Sequence, residues 1–325
     1  MRTLIMGGTR FVGRHIAAAA LAAGHEVTLV HRGQSGADLF PEATHLLLDR
    51  NGELDALRGT RWDTVIDVSA YFPRQVTALG EALGDGAGRY VFISSTSVYA
   101  PPAEPGFDES SPVLTLPPGP VPDTVTEQTY GPLKVLCEQA ATAHFGPGTL
   151  VVRPTYVVGP FDHSGRFTYW VKRLARGGEV LAPGYPDRAI QLVDARDLAA
   201  FTLTPIGGTF HAAGRHLTFA EMLEAVAAEV APAGTTLTWV DPQFLLDAGE
   251  DGWTIPLWYA GEDGDAAINA ADPAAAIAAG LRLRPLAESI RDVLGEPDKP
   301  GLLPPAREAD LLAKWAGGVG TTSGK

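Results

Sequence analysis

Tyr130 and Lys134 stand four residues apart in the segment Tyr-Gly-Pro-Leu-Lys. On a helix this spacing places both side chains on one face, and Pro132 between them is tolerated in a first helical turn. A tyrosine with a reference pKa of about 10 is a poor base at pH 7, and a correction of three units takes roughly 4 kcal/mol. An ammonium about 4 Å away supplies about that energy at an effective dielectric constant near 20. The pair therefore predicts proton exchange with an alcohol or carbonyl oxygen while a hydride moves at the adjacent carbon.

A cluster of hydroxyl side chains follows the short apolar run Tyr90–Ile93. A hydroxyl at the C-terminal end of a parallel strand points into the crevice where such sheets bind ligands. We expect Ser95 to donate a hydrogen bond to the substrate oxygen and to set its position. Ser95, Tyr130 and Lys134 are accordingly the predicted catalytic residues, and Lys134 is also predicted to bind the cofactor by holding the nicotinamide ribose.

The elements that must position these residues are short apolar strands that alternate with helices. The pattern predicts strands over 4–6, 26–30, 44–48, 64–68, 90–93 and 150–152, and helices over 11–23 and 133–144. Such alternation is typical of a parallel sheet that is covered on both faces. The predicted fold class is therefore α/β, a Rossmann-type doubly wound parallel sheet with a smaller, mostly helical C-terminal substrate-binding domain.

The predicted domain organisation has three parts. Residues 1–158 form a dinucleotide-binding Rossmann domain, and residues 159–295, which are rich in tryptophan and proline, form a substrate-binding region. Strands over 189–193 and 209–211 are expected to return from that region to the main sheet. Residues 296–325 are predicted to be a linker, a short helix and a tail.

The turn between the first strand and the first helix reads Gly-Gly-Thr-Arg-Phe-Val-Gly. The N-terminus of a helix in this place binds the pyrophosphate of a dinucleotide through its free N–H groups. One glycine allows the tight turn and another lets the helix pack close to the sheet, whereas an arginine occupies the place of the usual middle glycine. The predicted cofactor-binding residues of this turn are Gly7, Thr9, Arg10, Phe11, Val12 and Gly13.

The second strand ends in His31 and Arg32, and no acidic residue stands there to bind the hydroxyls of an adenosine ribose. Arg32 could pair with a 2′-phosphate, and Arg10 could approach the same group. The alternative is that Arg32 is a solvated turn residue. We therefore predict NADP(H) in preference to NAD(H).

Other cofactor contacts are predicted at the ends of further strands. Asp49 and Arg50 end the third strand within reach of an adenine ring, although an exposed pair of charges is the alternative. Small side chains after the fourth strand would let the backbone approach the cofactor, at Val68, Ser69 and Ala70.

Composition excludes several classes of function. The net charge of −13 argues against nucleic acid or an anionic membrane surface as a partner. Cys137 is the one cysteine, so no internal disulfide is expected, and the eight histidines show no metal-ligand spacing. No run approaches 18 apolar residues and no signal peptide is evident, so we expect a cytoplasmic protein with a small-molecule substrate.

The chain resembles the extended short-chain dehydrogenases/reductases of the NAD(P)-dependent epimerase/dehydratase family over about residues 1–295. The resemblance rests on the Gly7–Gly13 turn, the Ser-Ser-x-x-Val-Tyr stretch at 94–99, the Tyr-x-x-x-Lys pair, the Val-Val-Arg-Pro segment at 151–154 and the Asp-Leu-Ala at 197–199. It implies that Ser95, Tyr130 and Lys134 form a catalytic triad and that Pro154 and Thr155 lie beside the nicotinamide. It also implies a homodimer through helices on one face of the sheet.

Departures from the family pattern reduce the number of reaction types that the chain could catalyse. Thr96 and Ser97 replace the Asp-Glu pair of family dehydratases, so elimination of water lacks its acid and base. Arg188 is two residues too far from Asp197 for the arginine of nucleotide-sugar enzymes. We favour an NADP(H)-dependent oxidoreductase that moves a hydride between nicotinamide and a carbonyl or alcohol carbon. The alternatives are a sugar or sugar-nucleotide epimerase with tightly bound NAD(P), and a non-catalytic cofactor-sensing or RNA-binding protein.

Overall fold

The computed structural model describes residues 1–100, 105–259 and 269–319. The chain divides into two compact units. The first holds Met1–Val157, Gln191–Arg215 and Ala267–Leu283, and the second holds Val158–Ile190, His216–Ala266 and Arg284–Lys325. Residues 320–325 of the predicted tail lie outside the described part of the chain.

The described helices and strands follow one another in this order: β1 (Arg2–Met6), α1 (Phe11–Ala22), β2 (Glu26–His31), β3 (Thr44–Leu47), β4 (Thr64–Asp67), α2 (Pro73–Leu83), β5 (Tyr90–Ile93), α3 (Glu127–Phe145), β6 (Leu150–Pro154), β7 (Tyr156–Val158), α4 (Arg166–Ala175), β8 (Glu179–Pro183), β9 (Ala189–Ile190), β10 (Leu192–Asp194), α5 (Ala195–Thr202), β11 (Gly208–Ala212), β12 (Leu217–Thr218), α6 (Phe219–Val230), β13 (Thr236–Val240), α7 (Pro242–Asp247), α8 (Ala274–Ala278), α9 (Leu286–Val293) and α10 (Pro305–Val319).

A seven-stranded sheet organises the first unit, in the order β11-β6-β5-β4-β1-β2-β3. All neighbouring strands in it run parallel. Parallel strands are joined by crossovers on the sheet faces, so both faces are covered and most of the strand residues are apolar. The α/β Rossmann-type fold predicted from the sequence is confirmed.

Two apolar layers cover the sheet, one on each face. Ile5 belongs to the layer that includes α1 and α5, whereas Leu4 and Met6 belong to the layer that includes α2 and α3. The division follows from the strand geometry, because successive side chains point to opposite faces. All three of these side chains are at most 1% exposed.

Helix α3 begins at Glu127, six residues before the predicted start at Leu133. The hydroxyl of Thr126 accepts the N–H of Thr129, and this cap fixes the earlier N-terminus. Pro132 therefore lies in the second turn of the helix, not the first. Tyr130 and Lys134 still share one helix, as predicted.

The second unit contains short strand pairs and the helices α4, α6, α7, α9 and α10. β8 pairs with β13 in parallel, and β9 pairs with β12 in an antiparallel arrangement. The expected return of 189–193 to the main sheet is wrong, because β9 and β10 belong to separate two-stranded sheets. Between them the Gln191 side chain bonds to the backbone of Gly214 and Ala271. Residues 209–211 do lie in the main sheet, as the edge strand β11.

Within residues 1–100, 105–259 and 269–319, no helix is long and apolar enough to cross a membrane. The same residues hold no cluster of histidine, cysteine and carboxylate side chains suited to a metal ion. Cys137 is free and buried, and burial raises the pKa of its thiol to about 12. A reactive thiolate is therefore not part of the site.

Candidate active site

The glycine-rich turn follows β1 directly and admits only glycine at two places. Gly7 has a φ of +96°, a conformation that glycine adopts readily. A Cβ on Gly7 would lie 2.9 Å from the Cβ of Ser69, and a Cβ on Gly13 would lie 2.1 Å from the Gly7 carbonyl oxygen. Helix α1 starts here with no side-chain cap from its N-cap residue, Arg10. This is the arrangement in which a helix N-terminus binds a phosphate group.

Lys134 is buried on α3 and is held by the ends of two strands. Its Nζ atom donates to the carbonyl of Ala70, after β4, at 3.0 Å, and to that of Ile93, the last residue of β5, at 2.6 Å. It also lies 4.3 Å from the centre of the Phe92 ring. Burial lowers the pKa of Lys134 to about 8. The ammonium is thus fixed at the C-terminal edge of the sheet.

Tyr130 is half-buried one helical turn before Lys134. The centre of its ring lies 6.2 Å from that of Tyr71, which follows β4 and is 45% exposed. The Lys134 Nζ atom lies 5.6 Å from the centre of the same Tyr71 ring. Gln75 accepts the Tyr71 N–H through its Oε1 atom at 2.9 Å and so holds this backbone at the start of α2. The rings of Tyr71 and Tyr130 and the Lys134 ammonium therefore lie close together. Tyr71 is not among the site residues predicted from the sequence.

Ser95 follows β5 and caps a short 3₁₀ turn at Thr96–Val98. Its Oγ accepts the N–H of Ser97 at 3.1 Å and donates to the Ser97 hydroxyl at 3.0 Å. The side chain is half-buried. Because the Ile93 carbonyl at the end of β5 also holds Lys134, the same strand end positions both predicted catalytic residues.

A buried ion pair connects the serine loop, α3 and β6. Glu138, one turn after Lys134, accepts the Ser94 hydroxyl at 2.5 Å. Arg153 donates to the same carboxylate through Nε at 3.0 Å and Nη2 at 2.7 Å. Arg153 directly precedes Pro154, which was predicted to lie beside the nicotinamide. The Glu138 carboxylate therefore joins three segments that carry predicted site residues.

The Arg153 guanidinium also bonds to a buried tyrosine–histidine pair. Its Nη1 donates to the Tyr99 hydroxyl at 2.5 Å, and that oxygen lies 2.5 Å from Nε2 of His211. Nδ1 of His211 lies 3.1 Å from the Asp272 carbonyl and must donate to it, so Nε2 accepts from Tyr99. Burial raises the pKa of Tyr99 to about 12. Tyr99 consequently remains a neutral donor.

Arg50, predicted to reach an adenine ring, binds Asp67 at the end of β4. Its Nη1 and Nη2 atoms lie 2.6 and 2.8 Å from the two carboxylate oxygens, and Nη1 also donates to the Ser69 hydroxyl at 2.8 Å. The Tyr90 hydroxyl donates to the same carboxylate at 2.9 Å. Among the described residues the buried Nε of Arg50 has no partner. A contact between Arg50 and adenine stays a prediction.

The ends of β2 and β3 carry the residues predicted for the adenosine end. Arg32 and Asp49 are exposed, and the Asp49 carboxylate accepts the N–H of Asn51 at 2.9 Å. His31 is buried, and both of its ring nitrogens have partners within the protein, at Gly33 and His45. A ribose bound at this edge would therefore contact the exposed Arg32 side chain and not the buried His31 side chain.

The remaining predicted residues follow β4 and end β6. Val68 and Ser69 are half-buried and Ala70 is buried, beside the glycine turn. Thr155 is 7% exposed, and its hydroxyl has no partner among the described residues. Because a buried hydroxyl without a hydrogen bond costs free energy, such groups commonly await a ligand or water.

The structure brings most of the predicted residues to one edge of the sheet. Three observations fit a dinucleotide there: the glycine cradle, the uncapped start of α1 and the unpartnered Thr155 hydroxyl. Sequence reasoning missed the exposed Tyr71 and the buried charged residues that support the site, namely Asp67, Glu138 and Arg153. A signal existed for the charged ones, since each interrupts an otherwise apolar strand or helix face.

Comparison with known proteins identifies the family. The profile of the NAD dependent epimerase/dehydratase family matches residues 3–77 and 72–207. The chloroplast stem-loop binding protein of 41 kDa b of Arabidopsis thaliana is 27% identical over 222 residues, which are 63% of this chain and 55% of that protein. The chain thus spans about half the length of this curated relative.

Two solved structures illustrate the shared fold. The UDP-glucuronic acid 4-epimerase from Bacillus cereus in complex with NAD has a TM-score of 0.66 at 15% identity, over 90% of this chain and 96% of that one. The UDP-glucose-4-epimerase from Stenotrophomonas maltophila with bound NAD and formylated UDP-arabinopyranose has a TM-score of 0.66 at 18% identity, over 90% and 97%. The chain belongs to the NAD dependent epimerase/dehydratase family.

Proposed function

We propose that the protein is an NAD(P)-dependent epimerase of a sugar or sugar nucleotide, with Tyr130 as its acid and base. The observation that carries the proposal is the placement of Lys134, whose ammonium is held by two strand ends one helical turn from Tyr130. The family and the NAD-bound epimerases that share the fold support epimerisation over simple reduction.

The chain's residues have distinct tasks in this proposal. The glycine turn would hold the pyrophosphate, and Ala70 and Thr155 would border the nicotinamide, which supplies hydride chemistry at the substrate carbon when bound. Tyr130 takes the proton of the substrate alcohol and later returns it. Lys134 stabilises the tyrosinate through its positive charge, and Ser95 donates a hydrogen bond to the substrate oxygen.

The test asks whether the cofactor stays bound to the purified protein. An epimerase regenerates its cofactor in each turnover, so we expect about one NAD(P) per chain to survive gel filtration and to be released on denaturation. UDP-glucose and related UDP-sugars serve as the first substrates, without added cofactor. Tyr130→Phe should keep the bound cofactor and lose about 100-fold or more of the turnover. Unchanged turnover in that variant would exclude the assigned role of Tyr130.

An NADP(H)-dependent reductase is the second candidate. Arg32 supports it, because this exposed guanidinium follows β2 where no acidic residue stands. This enzyme would be purified with an empty site and would oxidise NADPH in a screen of carbonyl compounds. A preference for NAD(H) of about tenfold or more in KM, which is about 1.4 kcal/mol, would refute the NADP(H) assignment.

Two further expectations concern partners. Binding of a nucleic-acid stem-loop is disfavoured by the net charge of −13, which repels phosphates. A homodimer through helices on one face of the sheet remains our proposal. Light scattering during gel filtration measures the mass, and the monomer mass of 34.2 kDa would contradict a dimer.

A further inference from the structure

His31 and His45 form a directly bonded pair near the ends of β2 and β3. Nε2 of His31 lies 2.8 Å from Nδ1 of His45, and the two rings cross at 87°. Nδ1 of His31 accepts the N–H of Gly33 at 3.1 Å. Nε2 of His45 lies 3.2 Å from the carbonyl of Phe40. All four ring nitrogens therefore have a partner.

These contacts determine where the ring protons are. The Phe40 carbonyl can only accept, so Nε2 of His45 carries a proton, and the Gly33 N–H can only donate, so Nδ1 of His31 carries none. In the neutral pair the remaining proton of His31 is then on Nε2, where it is donated to Nδ1 of His45. Both rings are neutral Nε2–H tautomers, and the hydrogen bonds run in one direction from Gly33 to Phe40.

The pair joins the two ends of a loop, residues 33–40, which we term the adenosine-side loop. Gly33 and Phe40 both have positive φ, +70° and +57°, and the latter is uncommon for a residue with a side chain. Within the loop, a Cβ on Gly36 would lie 3.1 Å from the carbonyl oxygen of Thr9. The adenosine-side loop thus lies against the glycine turn and begins directly after Arg32.

We propose that the His31–His45 pair positions the adenosine-side loop for the cofactor, and that a proton bound to either ring releases the loop and weakens cofactor binding. The proposal rests on the proposed function only in that a dinucleotide occupies this edge of the sheet. His31 and His45 are positioning residues in it and do not themselves contact the cofactor.

A proton on the pair must break one of its hydrogen bonds. On Nδ1 of His31 the added proton faces the Gly33 N–H, and on Nδ1 of His45 it faces the N–H of His31. If His45 holds the added proton, it can donate to Nε2 of His31 only when the proton of His31 moves to Nδ1. The Gly33 N–H then has no acceptor on His31. Every protonated state therefore breaks one bond of the chain that connects Gly33 to Phe40.

The surroundings of His31 favour the neutral state. Burial lowers its pKa, and the facing His45 on β3 lowers that pKa further. On the other side, β1 presents backbone, since the Gly7 N–H donates to the Val30 carbonyl. Arg32 is the charged residue that follows His31, and it is exposed. Burial and the facing His45 therefore favour the neutral form of His31.

The double variant His31→Gln/His45→Gln tests the proposal. A glutamine amide offers one acceptor and one donor, so it can continue the chain of hydrogen bonds but cannot titrate. Binding of NADH and NADPH is measured by fluorescence at about pH 8 and about pH 5.5. We expect the wild-type affinity to fall about tenfold or more in acid, and that of the double variant to fall less than about threefold. The control His25→Gln, which lies before β2 and bonds to Thr3, should behave like the wild type.

Nitrogen-15 spectra of the histidine rings provide a readout that needs no cofactor. At about pH 8 both His31 and His45 should show the neutral Nε2–H pattern, and exchange of the Gly33 amide proton should accelerate as the pair titrates. A proton on Nδ1 of His31 at that pH, or equal pH dependence in the double variant, overturns the proposal. A chain that binds neither cofactor contradicts the proposed function, and the spectra then still decide for or against the pair.

Discussion

Arg50 and Asp67 form a buried bidentate ion pair between two strands that are not neighbours in the sheet. Asp67 ends β4, whereas Arg50 follows β3, and β1 and β2 lie between these strands. Both side chains are at most 10% exposed. The Arg50 side chain thus spans the C-terminal edge of the sheet and supports the turn at Ser69, against which Gly7 packs.

Removal of the Asp67 carboxylate should destabilise the protein strongly. Asp67→Ala leaves the Arg50 guanidinium buried without its counter-charge, which costs about 3–5 kcal/mol in the free energy of unfolding. Urea unfolding followed by circular dichroism measures the change. Asp55→Ala is the matched control, because its ion pair with Arg58 is about two-thirds exposed. That variant should change the free energy by less than about 1 kcal/mol.

The Arg50–Asp67 pair should also make the free energy of unfolding fall in acid. Burial alone would raise the pKa of Asp67, but the charge and hydrogen bonds of Arg50 outweigh it and hold that pKa below its ordinary value. A group whose pKa is lower in the folded state stabilises the fold above its unfolded pKa, about 3.9 for aspartate. The contribution should be lost as the pH falls through the folded pKa, and Asp67→Ala should flatten this acid limb.

A methyl group at Gly13 should block the dinucleotide site. The Cβ of Gly13→Ala would lie 2.1 Å from the Gly7 carbonyl oxygen, so the turn must move. We expect NAD(H) affinity to fall about 100-fold or more, a change of about 2.7 kcal/mol. Calorimetric titration measures it, and Gly148→Ala, whose Cβ meets nothing within 4 Å, should bind like the wild type. Equal affinity in both variants would show that the turn does not hold the cofactor.

The Thr155 hydroxyl should destabilise the cofactor-free protein and strengthen cofactor binding. Thr155→Val removes a buried hydroxyl that has no partner, so the cofactor-free protein should be as stable as the wild type or more stable, by about 1 kcal/mol. The same variant should bind the cofactor more weakly. Thr96→Val is the contrast, because the Thr96 hydroxyl donates to the Pro154 carbonyl at 3.3 Å. Its loss should destabilise the protein by about 1 kcal/mol.

The sequence predicts local patterns well and distant pairings poorly. The strands of the main sheet and the shared helix of Tyr130 and Lys134 follow from apolar runs and spacing, which are local. The bonds of Arg50 to Asp67 and of Arg153 to Glu138 join residues 17 and 15 positions apart across the fold. Composition and spacing carry no information on such pairs, so the sequence does not predict the bond of Arg50 to Asp67.

Two local errors have local causes. The predicted helix starts at Leu133, whereas the Thr126 cap begins α3 at Glu127. The apolar run over 189–193 suggests one strand of the main sheet, but the buried Gln191 side chain interrupts it with three hydrogen bonds to the backbone. In both cases one side-chain hydrogen bond pattern outweighed the apolar periodicity.

Lys134 should make the stability of the protein depend on pH in the alkaline range. Burial lowers the pKa of Lys134 to about 8 in the folded state, whereas an unfolded lysine has a pKa of about 10.4. Between these values the unfolded chain holds a proton that the folded chain has released, so the free energy of unfolding rises with pH. Relative to Lys134→Met, which cannot titrate, the wild type should gain up to about 3 kcal/mol from pH 8 to pH 10.5.

Unfolding in urea at a series of pH values, on cofactor-free protein, measures this difference. Lys314→Met is the control, since that side chain is 60% exposed on α10 and pairs with Asp310, and its difference from the wild type should stay nearly flat. Lys134→Met should also lose the turnover that depends on Tyr130, because no charge then stabilises the tyrosinate. A difference between the wild type and Lys134→Met that does not change with pH would mean that the Lys134 ammonium is solvated. Because water screens the charge, that ammonium would then stabilise the Tyr130 tyrosinate too weakly for the proposed catalysis.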